Sequence, residues 1–262
     1  MRTLTLAHVS DLHLGVPGAE RATASVCESL VEAGVDHVMV TGDVTQRGRT
    51  REWEQFQRAF APLLEAGRVT LVPGNHDRAD EDVASIIMPD QRVQVAEHEG
   101  LFMVRVDSTA PHNRSLLTAH GHLDEQDMAA VVRALDAAPP RALVVVALHH
   151  HVHPLPGDFF HEDLVSWLGW PWCDELSGGQ RLLRRILGRC DLLLHGHRHV
   201  PRERHEVANG SRPIGVYNAG SSSKLGCVRV FRHARGLLEG APQWLAARPV
   251  APHAPQEIAS AA

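Results

Sequence analysis

The chain has 262 residues, 44% of them hydrophobic and 22% charged, which excludes a disordered or collagen-like protein. Its formal net charge of -5 gives no overall positive field, so nucleic acid is not expected as a partner. No apolar run approaches the roughly 20 residues that cross a bilayer, so we expect no membrane span and a cytoplasmic location. Four widely spaced cysteines without a C-x-x-C pair predict reduced thiols.

Short apolar runs rich in Val and Leu alternate with longer amphipathic segments along the chain, which predicts a β-sheet covered by helices. The apolar runs predict strands at residues 3–9, 37–41, 68–72, 101–106, 142–148, 191–194, 214–218 and 226–231. Helical spacing of apolar positions predicts helices at residues 20–33, 50–66, 124–137 and 178–188.

We expect a single domain over residues 1–241. Within it, residues 152–176 hold three of the five tryptophans among Pro and Gly, which predicts an ordered insertion. This insertion could form a lid over a site, an interface in a homodimer, or a surface connection without a substrate role. Residues 242–262 are rich in Ala and Pro and are predicted to form a C-terminal tail, flexible over its last dozen residues.

Five predicted strands run directly into side chains of the kinds that bind metal ions. Groups just beyond the carboxyl ends of parallel strands line one crevice in an open α/β sheet, so these segments are expected to converge. Each motif alone is weak, but five in succession predict a metal site. In chain order the segments contain Asp11 and His13, Asp43, Asn75 to Asp77, His149 to His151, and His195, His197 and His199.

The order D-x-H, G-D, G-N-H-D, H and G-H-x-H resembles the calcineurin-like metallophosphoesterase superfamily, and within it the class III cyclic nucleotide phosphodiesterases. The resemblance spans Asp11 to His199 and implies an α/β fold, a four-layer α/β/β/α sandwich with two central mixed β-sheets. It also implies two metal ions that share one bridging carboxylate. The implied ligands are Asp11, His13, Asp43 and His199 for one ion, and Asp43, Asn75, His149 and His197 for the other.

Carboxylate, imidazole and amide oxygen ligands suit Mn, Fe, Co or Zn ions, divalent or trivalent, and the absence of thiolates argues against a closed structural zinc site. Two ions about 3.5 to 4 Å apart lower the pKa of a bridging water towards about 7 and hold the phosphoryl oxygens. We therefore expect a metal-bridging hydroxide to attack phosphorus. His76, from the G-N-H-D motif, is the candidate donor of a proton to the leaving group.

Other assignments are left open by the sequence. His149 follows its strand directly, but a slip of one residue would make His150 the ligand. His150, Asn75 and His76 could also contact substrate. Arg78 could bind phosphate through its guanidinium group or point to solvent. Asp77 and His195 could orient ligand imidazoles, or serve as turn and cap residues.

These patterns predict a dinuclear-metal-dependent phosphodiesterase acting on a cyclic nucleotide or another small phosphoester. A nuclease of the double-strand-break repair type shares the metal motifs and is the nearest alternative, although the net charge does not favour a DNA clamp. A non-catalytic binding module with this fold is the other alternative. All seven metal-ligand positions are filled, which favours an enzyme over such a module.

Overall fold

A computed structural model describes residues 2–115, 118–153, 176–207 and 212–248 of the chain. Its strands are β1 (Leu4–Val9), β2 (His37–Thr41), β3 (Val69–Val72), β4 (Val93–His98), β5 (Leu101–Val106), β6 (Gly121–His122), β7 (Leu143–Ala147), β8 (Leu176–Ser177), β9 (Leu192–His195), β10 (Arg202–Glu206), β11 (Ile214–Asn218), β12 (Cys227–Ala234), β13 (Leu237–Leu238) and β14 (Gln243–Ala246). Its α-helices are α1 (Ala19–Glu32), α2 (Thr50–Ala59), α3 (Ala61–Glu65), α4 (Ala84–Ile87), α5 (Glu125–Asp136), α6 (Gly179–Ile186) and α7 (Ser222–Leu225). Two 3₁₀ turns span His76–Arg78 and Pro111–Arg114.

Two six-stranded mixed sheets form the centre of the fold. The first has the order β13-β12-β1-β2-β3, with β14 also paired to β12. Its strands β1, β2 and β3 are parallel, and β12 is antiparallel to β1. The second has the order β10-β11-β9-β7-β5-β4, in which the four inner strands are parallel and both edge strands antiparallel. The short strands β6 and β8 form a separate parallel pair.

Side chains of β7 point alternately to the two faces of the second sheet, and both faces are covered. Leu143 and Val145 belong to the core that also contains the apolar residues of the first sheet. Val144 and Val146 point the other way and pack with Met128 of α5. A strand buried on both faces is apolar at every position, as the run LVVVA is. The two sheets with their outer helices give the predicted four-layer α/β/β/α sandwich.

The predicted helix over residues 50–66 is wrong as a single element. The structure has two helices, α2 and α3, with Phe60 between them at φ -106° and ψ 9°. Pro62 lies at the start of α3. A proline there cannot donate the backbone hydrogen bond that would continue α2, and its ring clashes with the carbonyl group four residues earlier.

Four edge segments pair with the sheets although the sequence does not predict them as strands. They are β4, β10, β13 and β14, whose side chains are half-buried or exposed. Because β14 lies at residues 243–246, the first sheet extends past residue 241 into the predicted tail. Of the predicted insertion 152–176, all but its ends lies outside the described residues, as do the last dozen residues of the chain.

The two sheets meet at the carboxyl ends of their parallel strands. Nδ1 of His149, just after β7, lies 2.7 Å from the carbonyl oxygen of Thr41 at the end of β2. The backbone N–H of His197, after β9, donates to Asp11 Oδ2 after β1 at 3.1 Å. Both bonds join one sheet to the other, so the polar segments of both sheets form one cluster. Within the described ranges, no helix combines the length and apolarity needed to cross a membrane.

Candidate metal centre

Four of the predicted ligands have a backbone conformation that side-chain-bearing residues rarely adopt. The φ angles of Asp11, His13, Asp43 and His197 are 54°, 52°, 47° and 72°. Such a conformation costs free energy and persists only where surrounding contacts hold it. Here the N–H of Asp11 donates to the Gly42 carbonyl at 3.1 Å, and that of His13 to the Asp43 carbonyl at 3.0 Å. The strand ends thus hold these loops with their polar side chains turned into the cluster.

Several acceptor atoms converge around His149. Its Nδ1 faces a carbonyl oxygen, which only accepts, so Nδ1 carries the proton and Nε2 of the neutral ring has a free lone pair. That Nε2 lies 3.1 Å from Asn75 Oδ1, 3.2 Å from His197 Nδ1 and 3.4 Å from Asp43 Oδ2. With the ring neutral, these atoms offer lone pairs that one cation could share, and the cation would take the place of a proton on Nε2.

A second group of ligand atoms lies on the other side of Asp43. The Nε2 atoms of His13 and His199 are 3.1 Å apart, and they lie 3.9 and 3.7 Å from Asp11 Oδ1. Asp43 Oδ2 is 3.9 Å from His13 Nε2 and 4.0 Å from His76 Nε2. Asp43 thus faces both groups. The His/Asp sets close enough to hold an ion are Asp11, His13 and His199; His13, Asp43 and His76; and Asp43, His149 and His197.

Two further observations indicate that the side chains of the cluster suit metal ions. Asp11 Oδ1 is buried and has no hydrogen-bond partner, which is costly for a carboxylate oxygen unless a cation satisfies it. The cluster also offers only imidazole, carboxylate and amide groups, the mixed N/O set that suits Mn, Fe, Co or Zn.

The electrostatics of the cluster show the same demand for positive charge. Burial raises the pKa of Asp11 to about 7 and lowers that of His13 to about 3. Burial alone would lower the pKa of His149, but the Asp43 carboxylate next to it, with Asp11, raises it to about 9. Burial would raise the pKa of Asp43, yet His149, followed by His76, holds it well below its ordinary range. In the chain by itself, a proton on His149 thus supplies charge that a metal ion would supply when bound.

The neighbouring histidines His149 and His150 have different surroundings. His150 is fully buried, and its Nε2 lies 2.7 Å from the Ala119 carbonyl oxygen, so Nε2 carries the proton and donates. Its Nδ1 then accepts from the Ser108 hydroxyl at 2.8 Å. Neither nitrogen of His150 is left for a metal ion or a substrate. The geometry therefore favours His149 as the ligand and does not support His150 as a substrate contact.

Arg78 does not point to solvent, as one of the two alternatives had it, and phosphate binding by Arg78 stays a prediction. Its guanidinium donates to Asp107 Oδ2 at 2.5 Å, to Thr109 Oγ1 at 3.0 Å and to Asp82 Oδ1 at 3.0 Å. Two carboxylates thus already neutralise it. Arg78 also lines a different cleft from the one that contains His76.

Of the two roles that the sequence left open for Asp77 and His195, their hydrogen bonds fit that of a turn or cap residue. The Asp77 carboxylate accepts from the N–H groups of Thr45 at 2.8 Å and Gly74 at 2.9 Å, and from the Thr45 hydroxyl at 2.7 Å. It thereby ties the loop after β2 to the loop after β3. His195 Nδ1 lies 3.2 Å from the carbonyl oxygen of its own neighbour Gly196.

Two glycines allow the ligand loops to approach each other. A Cβ atom on Gly42, whose φ is +88°, would lie 2.5 Å from His149 Nδ1, and one on Gly74 would collide with Asp43 Oδ1. Both positions exclude a side chain. The glycines of the G-D and G-N-H-D motifs are therefore explained by close packing between ligand segments.

A family model described as calcineurin-like phosphoesterase matches residues 4–201, about three quarters of the chain. The chain belongs to the calcineurin-like phosphoesterase family. The match contains every predicted metal ligand, from Asp11 to His199.

Two curated relatives of this family carry the same name, 3',5'-cyclic adenosine monophosphate phosphodiesterase CpdA. The protein from Pseudomonas aeruginosa is 29% identical over 167 residues, 60% of this chain and 58% of the relative. The protein from Vibrio vulnificus (strain CMCP6) is 27% identical over 120 residues, 44% of this chain and 40% of the relative. The alignments thus span about half the length of these relatives.

Solved structures support the fold assignment. A dimetal phosphatase from Danio rerio has a TM-score of 0.60 at 12% identity, covering 94% of this chain and 99% of that one. Phosphopantetheinyl hydrolase (PptH) from Mycobacterium tuberculosis has a TM-score of 0.51 at 17% identity, covering 83% and 89%. At these identities the similarity concerns the fold alone.

The family motifs do not predict the groups that orient the histidines of the cluster. The Thr41 carbonyl orients His149, and the Gln46 carbonyl lies 2.8 Å from His76 Nδ1. Because these are backbone oxygens, no residue type marks them in the sequence. The Ser108 hydroxyl, which holds His150 away from the cluster, follows β5, and only the pairing of β5 with β7 brings the two together.

Proposed function

We propose that this chain is a metal-dependent phosphodiesterase that hydrolyses a cyclic nucleotide or another small phosphodiester. The observation that carries the proposal is the position of Asp43. Its Oδ2 atom lies 3.4 Å from Nε2 of His149 in one ligand group and 3.9 Å from Nε2 of His13 in the other, as an oxygen of a carboxylate shared by two ions would. The names of the CpdA relatives support a cyclic nucleotide as the first substrate to test.

Seven side chains would hold two ions from the set Mn, Fe, Co and Zn. Bound ions of this kind supply Lewis-acid stabilisation of the phosphoryl oxygens and an activated water. The chain contributes the positions of these ligands, which strained loops and cross-sheet hydrogen bonds fix in advance. The ligands are Asp11, His13, Asp43, Asn75, His149, His197 and His199.

His76 is the proposed proton donor to the leaving oxygen. Its Nδ1 bonds to the Gln46 carbonyl oxygen, so this nitrogen keeps its proton and the ring is held in one orientation. Nε2 is turned towards the cluster, and His76 lines the adjacent groove with a quarter of its side chain exposed. When Nε2 is protonated it can donate to an oxygen that gathers negative charge as its bond to phosphorus breaks.

The test is hydrolysis by chelator-stripped protein reloaded with Mn²⁺. We expect turnover of bis-p-nitrophenyl phosphate and 3',5'-cyclic AMP to exceed that of p-nitrophenyl phosphate. Asn75→Ala removes the amide oxygen that lies 3.1 Å from His149 and 3.0 Å from His197, and should lower kcat at least about 100-fold. His205→Ala replaces an exposed residue of edge strand β10. It is the surface control and should retain activity.

Each alternative function has its own outcome in this experiment. Preferential cleavage of linear DNA over both small diesters would favour the repair-nuclease interpretation. A protein that binds metal but cleaves neither diester nor DNA would favour a non-catalytic binding module.

A further inference from the structure

The chain has 26 lysines and arginines, and Lys224 is the only lysine among them. It lies in α7, a single helical turn that follows β11. The turn is tied to the loop after β1, because the Ser221 hydroxyl donates to the Asp11 carbonyl at 2.8 Å and the N–H of Ser222 donates to the Ser10 carbonyl at 3.0 Å. The position of Lys224 is therefore tied to the loop that carries Asp11 and His13.

Lys224 lines a groove of about 530 Å³ that opens beside the cluster. Its lining includes three histidines of the cluster, His13, His76 and His199, together with Ser223 and Gln46. The rest of the lining, the apolar wall, comes from the loop after β1 and the start of α1 and consists of Leu12, Val16, Pro17, Gly18, Ala19 and Ala22.

The apolar wall is built on a hydrogen-bonded turn and is partly open to solvent. Its turn is closed by backbone bonds from Val16 to the His13 carbonyl at 3.1 Å and from Ala19 to the Val16 carbonyl at 3.0 Å. Val16 nevertheless leaves 40% of its surface exposed. An apolar surface next to a cluster of polar groups is the usual composition of a ligand-binding groove.

Lys224 is the only lysine or arginine among the described residues that line this groove. It is exposed and makes no ion pair with any other described residue, so its charge is not neutralised there. Arg78, the cation that the sequence suggested for phosphate, is already bound by Asp107 and Asp82 in the other cleft. Among the lysine and arginine side chains of the described residues, Lys224 is therefore the one that can add its charge for an anionic ligand in this groove.

We propose that Lys224 binds an anionic phosphoryl oxygen of the substrate, and that the apolar wall accepts an aromatic or other apolar organic group attached to it. This inference rests on the proposed function and narrows its substrate class to phosphoesters with such a group. A flexible lysine side chain acts as a point charge that can follow the phosphoryl group. Small polar esters would gain from Lys224 but not from the wall.

A single lysine permits a test that does not depend on turnover. Metal-loaded protein is acetylated with an N-hydroxysuccinimide ester, and modification of Lys224 is followed by peptide mass spectrometry. Phenylphosphonate, whose C–P bond is not a phosphoester, should slow this acetylation about tenfold at saturation, while the terminal amine is unaffected. Methylphosphonate carries the same anionic group without the ring and should protect only at about tenfold higher concentration.

Kinetics on bis-p-nitrophenyl phosphate provide the second test. Lys224→Met should raise KM about tenfold with kcat within about twofold, and Lys224→Arg should restore most of the affinity. Ala22→Glu places a carboxylate on the apolar wall and should abolish the advantage of phenylphosphonate over methylphosphonate. Arg133→Met, which removes a cation from a separate cleft between α5 and α6, should leave KM unchanged.

The outcomes separate this inference from the proposed function. Turnover by the wild type with no protection of Lys224 and no change of KM in Lys224→Met would overturn the inference alone. Protection of Lys224 by phenylphosphonate in a protein that hydrolyses no phosphoester would overturn the proposed function and leave the anion subsite in place.

Discussion

Asp43 Oδ2 lies within 4.0 Å of imidazole nitrogens of His13, His76 and His149. A single carboxylate among three imidazoles cannot neutralise them all if they are protonated, and it cannot satisfy their lone pairs if they are not. Bound cations would balance the carboxylate charge and satisfy the lone pairs of the neutral rings together, because each group would then share a positive centre. The chemistry of the site therefore depends on which nitrogen of each ring faces Asp43 and on what the other nitrogen of that ring contacts.

Replacement of the two neighbouring histidines should have different effects. His149→Asn removes a nitrogen that faces Asp43 and Asn75, so we expect one bound metal ion fewer per chain and a loss of diester turnover of about 100-fold or more. His150→Asn removes bonds to Ser108 and Ala119 in the interior, so we expect a lower Tm with an unchanged metal count. Metal analysis by mass spectrometry, with thermal unfolding, distinguishes them. Equal metal loss in both variants would contradict the assignment of His149.

Alanine substitutions at Gly42 and Gly34 test whether the close approach of the ligand loops requires glycine. Both have positive φ, 88° and 64°, so alanine strains the backbone at either position by about 1 kcal/mol. Only at Gly42 would the new Cβ meet His149, whereas Gly34 has open space around it. We expect Gly34→Ala to be mildly destabilised and fully active, and Gly42→Ala to lose stability further and most activity. Denaturant unfolding and diester assays measure both, and an active Gly42→Ala would refute the packing explanation.

Among the secondary-structure elements, the buried strands were predictable and the edge strands were not. The run LVVVA of β7 is apolar throughout, since both of its faces are covered. By contrast, β10 has the sequence RERHE, which resembles a loop because every side chain is exposed or half-buried. Its strand conformation comes from backbone pairing with β11. Likewise, the sequence indicated which histidines cluster, but the choice between His149 and His150 required the positions of Thr41 and Ser108.

The last described strand, β14, should stabilise the fold although the sequence places it in a tail. The Arg229 guanidinium lies over the Trp244 ring, 4.5 Å from its centroid. The backbone carbonyl of Arg248 accepts from the Ser25 hydroxyl at 2.7 Å, and its backbone N–H donates to the Ser29 hydroxyl of α1 at 3.1 Å. We expect a chain ending at Ala241 to lose about 2 kcal/mol of unfolding free energy. A chain ending at Arg248 should keep the full-length stability in urea. Equal stability of the two truncated chains would show that β14 contributes nothing.

The whole molecule carries 19 histidines, and some buried ones are not among the predicted metal ligands. His37 at the start of β2 is one, with Nε2 2.8 Å from the Thr70 hydroxyl and its ring 4.4 Å from that of His98. Burial, and then the charge of His98, lowers the pKa of His37 from 6.5 to about 4. The folded protein therefore resists protonation of this ring more than the unfolded chain does.

This difference predicts a loss of stability in acid. Above pH 6.5 neither state of His37 is protonated, and its contribution is complete; between pH 6.5 and about 4 only the unfolded chain takes up the proton, so stability falls. For metal-free protein, His37→Gln should reduce the slope of unfolding free energy against pH by up to about 1.4 kcal/mol per pH unit. The exposed His205→Gln is the control. Identical slopes for wild type and His37→Gln would exclude this contribution.

The central claim concerns two metal ions that share Asp43, and anomalous diffraction from crystals of Mn²⁺-loaded protein tests it most directly. We predict two manganese peaks, one next to His13, His199 and Asp11 and the other next to Asn75, His149 and His197, with the Asp43 carboxylate between them. A single peak, or peaks away from Asp43, in crystals saturated with Mn²⁺ would contradict the account.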